Sequence, residues 1–73
     1  MSDEIKLFDV VALTVDLPEY NLSKGQVGTV VELLKNGAAY EVEFSDDSGE
    51  AYAVAPLRAE KLMKLHFRKD EAA

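Results

Sequence analysis

The clearest pattern in the chain is the alternation in AYEVEF, residues 39–44, where Tyr40, Val42 and Phe44 share one side and Glu41 and Glu43 the other. Successive side chains of a strand point to opposite faces, so this spacing predicts a half-buried strand. Three further segments are too short for stable helices and rich in strand-favouring residues. DVVALTV, residues 9–15, predicts a first strand with Val11 and Leu13 in the core. VGTVVELL, residues 27–34, carries one charge, Glu32, and predicts a second strand, the most buried of the set, bent so that both faces are partly covered. EAYAVAPL, residues 50–57, predicts a fourth, with Tyr52 and Val54 on the face opposite Ala51, Ala53 and Ala55. Strand parity assigns Tyr40 and Tyr52 to the core. Pro56 cannot donate to a ladder and belongs at the strand's end or on a sheet edge.

Turn chemistry punctuates these runs. DLPEYNLSKGQ, residues 16–26, gathers Pro18, Asn21, Ser23 and Gly25 and predicts the longest loop. Asn36-Gly37 predicts a tight type I′ hairpin, because both residues tolerate positive φ. SDDSG, residues 45–49, predicts a second turn built on Asp and Ser side chains bonding their own backbone. RAEKLMKLHF, residues 58–67, is rich in helix formers, but after four strands it is read as a short 3₁₀ turn over 58–61 and a fifth strand over 62–67. The ends, 1–6 and 68–73, are polar and expected to be disordered, with Ile5, Leu7 and Phe8 as the first apolar anchors and order beginning near Leu7. The expectation is an all-β domain over 7–67, a five-stranded barrel with one short 3₁₀ turn before its last strand.

Seventy-three residues make one small domain, able to bury only about 60% of the surface its unfolded chain exposes. That leaves little room for a deep catalytic cavity. There is no cysteine, which removes disulfides, thiolate metal sites and cysteine nucleophiles and suits a reducing cytoplasm. No apolar run approaches a membrane span, and MSDEIKLFDV lacks the basic and apolar regions of a secretory leader. The net charge of −6 opposes nucleic-acid phosphates. It is unevenly placed: residues 1–50 hold eleven acids and three bases, residues 51–73 five bases and three acids. Such asymmetry steers a basic partner toward one side.

No constellation for catalysis emerges. KGQVG lacks the glycine spacing of phosphate loops and precedes a strand, so Gly25 and Gly28 are read as a tight entry and a bulge. Asp46, Asp47 and Glu50 lack the alternating ligand spacing of a calcium loop. Glu41 and Glu43 lie on an outer face rather than in a pocket, and the lone His66 has neither a nucleophile nor a second histidine nearby in sequence. The reading has no catalytic, cofactor or metal residues.

KGQVGTVVELL, AYEVEF and EAYAVAPLRAEKL together resemble a family of small bacterial proteins known as a domain of unknown function, across residues 9–65. In that family DVVAL, KGQVGTVVE, YEVEF and a terminal L-x-A-E-x-L recur. The layout is also similar to the SH3-like barrel of nitrile hydratase β subunits and, more loosely, to KOW domains. The resemblance implies an SH3-like barrel. It brings no activity: nitrile hydratase chemistry needs metal-binding cysteines that this chain lacks, and RNA-binding KOW domains are basic. The resulting expectation is a non-enzymatic, cytoplasmic protein-interaction module, monomeric or weakly dimeric. Its contact residues would be Leu17, Glu19, Tyr20, Asn21 and Lys24 of the loop after the first strand, and its partner a basic protein encoded nearby. The alternative is a nucleic-acid-binding KOW-like domain using the basic segment 58–69, with Phe67 stacking.

Overall fold

Strand β3 (Ala39–Ser45) carries the alternation that organises the molecule: Tyr40, Val42 and Phe44 are buried and Glu41 and Glu43 stand on the other side, partly exposed. The computed structural model describes residues 4–66. Around β3 lie β1 (Val10–Leu13), β2 (Val27–Leu34), β4 (Ala51–Leu57) and β5 (Leu62–Lys64). They form one antiparallel sheet in the order β4-β3-β2-β1-β5. The 3₁₀ turn Ala59–Lys61 leads into β5 as expected, but β5 ends at Lys64, short of the expected 62–67. The predicted frayed residues 1–3 and 68–73, and Phe67, lie outside the described residues.

Inward residues from all five strands meet in a single cluster: Val11, Leu13, Val30, Val42, Phe44, Ala55 and Leu62 among them. One sheet brings all its strands to one core only by curling over itself, into a small barrel-like fold. Irregularities between Val30 and Glu32 and between Phe44 and Ser45 assist the curl, since a bulge bends its strand and increases twist. Each fully buried side chain of the Val11, Val30, Val42 and Phe44 type stabilises the fold by roughly 1.5–3 kcal/mol relative to exposure.

Four expectations are corrected. Tyr52 and Val54 point outward, and Ala53 and Ala55 point in. Cross-strand partners share a face, and β3 pairs Phe44 with Ala53 and Val42 with Ala55. The small interior already holds the Phe44 ring, so methyl-sized partners fit opposite it. Second, β2 matches its predicted bounds but is not the most buried strand: beyond the bulge Val31, Glu32 and Leu33 are all exposed. That bulge sits at Val31 rather than at Gly28.

Third, the β2–β3 register is the one an Asn36-Gly37 turn dictates, with Leu34 opposite Ala39, but the ladder ends one pair early. Lys35, Asn36 and Gly37 all take positive φ (50°, 58° and 90°), and the Ala38 N–H donates to the Lys35 carbonyl at 3.1 Å, making a four-residue tip. Fourth, of the three expected anchors Ile5 is buried in the core, but Leu7 and Phe8 are exposed. Phe8 takes a left-handed φ of 70° that lets its N–H reach the Val30 carbonyl at 2.7 Å.

Candidate interaction surface

The loop between β1 and β2 is a folded unit. Its base is an extension of the ladder: the Leu13 N–H donates to the Gln26 carbonyl (2.9 Å) and the Gly25 N–H to the Leu13 carbonyl (2.8 Å), with Gly25 at φ 92°. Higher up, Leu17 and Leu22 exchange backbone hydrogen bonds of 2.8 and 3.1 Å. Both leucines are buried in the main core, so the loop is pinned at two points. Between them Pro18–Tyr20 makes a single 3₁₀ turn, started by a proline whose missing N–H costs nothing there and ended by Asn21 in the left-handed region. The Asp16 carboxylate accepts the Lys24 N–H at 2.8 Å, and Thr14 Oγ1 donates to the Glu60 carbonyl at 3.1 Å.

This architecture presents Glu19, Tyr20, Asn21 and Lys24 at the surface, all four exposed. Leu17 is different. It is buried, and its side chain packs into the core beneath the loop.

A second surface adjoins the loop, and parity misplaced it at the level of sequence. The Gln26 side chain receives the Ser23 N–H on its oxygen and donates from Nε2 to the Tyr52 hydroxyl at 2.9 Å, linking loop to β4. Tyr52 and Val54 belong to the outer face. Direct pairing puts Val10, Thr29, Glu43 and Val54 in one row across four strands, and Met63, Ala12 and Val27 in another across three. Ala12 is buried, while Val27, Tyr52, Val54 and Met63 are 46–55% exposed. Glu32 pairs directly with Glu41, beside Glu43 on the same side. The pairing partners of Phe44 and Val42 are the signal that locates these residues.

The remaining sequence candidates are structural or separate. Asp46 Oδ1 accepts from the Ser48 hydroxyl (2.7 Å), the Ser48 N–H (2.9 Å) and the Glu50 N–H (3.0 Å), closing the β3–β4 turn. The Ser48 hydroxyl first, then the Glu50 N–H, hold its carboxyl below the ordinary value. His66 is exposed. Within the basic segment, Lys64 Nζ lies 3.3 Å from Asp9 Oδ2. A shallow cleft of about 440 Å³ opens between Ile5, Tyr40, Leu62 and Met63. Among the described residues no helix is long and apolar enough to cross a membrane.

Residues 7–64 match a family model described as Domain of unknown function (DUF4926). No curated protein and no solved structure matches the chain.

Proposed function

We propose, for a chain that belongs to the DUF4926 family, a non-catalytic role as a protein-interaction module whose loop over residues 18–24 meets a partner protein. The observation that carries this reading is the pinning of an exposed loop at Leu17 and Leu22. A loop held in one conformation loses less entropy when it binds, so its side chains contribute more of their contact energy to affinity. Tyr20 supplies a large, rigid, amphipathic contact at the loop's tip, flanked by Glu19 and Asn21.

The acidic surface favours a basic partner, and a cysteine-free chain suits the bacterial cytoplasm. The nucleic-acid alternative draws less support, because Lys64 of the basic segment is engaged by Asp9. Co-expression with the products of flanking genes tests the proposal. A product that co-purifies with the wild-type chain is expected to be lost from the Tyr20→Ala, Asn21→Ala double variant while the variant's melting temperature stays within a few degrees. Retention of every co-purifying product by that variant overturns it, and retardation of RNA or DNA in a low-salt gel shift moves the assignment to the alternative.

A further inference from the structure

We infer that the docking surface continues past the loop onto the outer face of β2, β3 and β4, and that this face takes an amphipathic, cationic segment of a partner protein. Aliphatic side chains of that segment seat on Val27, Tyr52 and Val54, and its lysines or arginines on Glu32, Glu41 and Glu43. The inference rests on the interaction-module reading and specifies the partner's chemistry.

Three observations converge on it. Outward positions of a small acidic domain are ordinarily polar, yet Val27, Tyr52 and Val54 each expose about half their surface on the outer face. The three carboxylates share that face, with Glu32 directly opposite Glu41, an arrangement that costs the fold repulsion unless a cation answers it. Among the described residues no cation lies within ion-pair distance of these three glutamates. The Gln26 side chain, bonded to both Ser23 and Tyr52, makes the face continuous with the loop.

Charge decides the occupant. A second copy of the chain, itself at −6, would bring a matching set of glutamates against these and would be repelled. A segment with aliphatic residues at helical spacing and lysines beside them satisfies the exposed apolar side chains and the carboxylates among them together.

The test is an amide chemical-shift titration of the full chain with three capped peptides. One carries leucine at i, i+3, i+4 and i+7 with lysine elsewhere; one has that composition shuffled; one replaces lysine by glutamate. The first is expected to shift amides around residues 27–32, 41–43 and 52–55. Affinity is expected to fall about tenfold or more in Glu41→Gln, Glu43→Gln and separately in Val54→Ser, whose cooperative melting, no lower than that of the wild type by more than a few degrees, shows that they fold. Equal binding of the shuffled peptide, shifts centred on the Asp46–Glu50 turn, or binding unmoved by both variants overturns the inference. So do concentration-dependent shifts in the absence of peptide, which assign the face to self-association. Shifts confined to residues 18–24 sink the outer face and leave the loop reading standing.

Discussion

Gly28 sits where β2 meets β3, and a methyl group there would come within 2.7 Å of Val42 Cγ1 and 2.9 Å of the Glu43 carbonyl oxygen. Gly28→Ala is therefore expected to destabilise the fold by about 1–3 kcal/mol through overpacking, read as a lower urea midpoint with an unchanged slope. Gly25 has open space around it and is needed for its φ of 92° instead. At Asp9, the Lys6 N–H lowers the carboxyl pKa below 3.8, burial works against it, and Lys64 adds to the lowering. A carboxyl whose pKa is lowered in the folded state stabilises that state above its unfolded pKa, and loses the effect as pH falls through the folded value. Wild type is thus expected to exceed Asp9→Asn in urea midpoint at pH 6, with the gap narrowing toward pH 2. A gap that stays constant across that range contradicts the assignment.

At the level of elements, the outward pair Glu32 and Glu41 is the plainest conflict in the sheet. Glu32→Lys turns it into an opposite-charge pair and is expected to raise stability by roughly 0.2–1 kcal/mol in denaturant unfolding. Local pattern was sufficient wherever apolar alternated with charged residues: β3 has its predicted parity, and β2 its predicted bounds. It failed in AYAVAP, where alanine alternates with larger residues, Tyr52 and Val54 among them, and either set can be read as the inner one. What decides is volume across the ladder, because Phe44 opposite Ala53 leaves no room for a second large group. That is a long-range fact. The loop was legible as a loop from its Pro, Asn and Gly, but the mutual pairing of Leu17 and Leu22, and with it Leu17's burial, depends on a core formed by residues distant in sequence.

Over the whole molecule, a single curled sheet uses its inner residues for one core and leaves two adjoining surfaces, the pinned loop and the outer face, coupled through Gln26. The acidic N-terminal two-thirds of the chain supplies the loop and the strands β2 and β3 that carry Glu32, Glu41 and Glu43, so partner attraction and the candidate contacts coincide. Cross-saturation transfer in the complex with a co-purified partner reports directly which protons of this chain the partner approaches. The account predicts strong transfer to Glu19, Tyr20, Asn21 and Lys24, continuing to Tyr52 and Val54. Transfer confined to the cleft, at Glu4, Ile5, Tyr40 and Ala59, contradicts it.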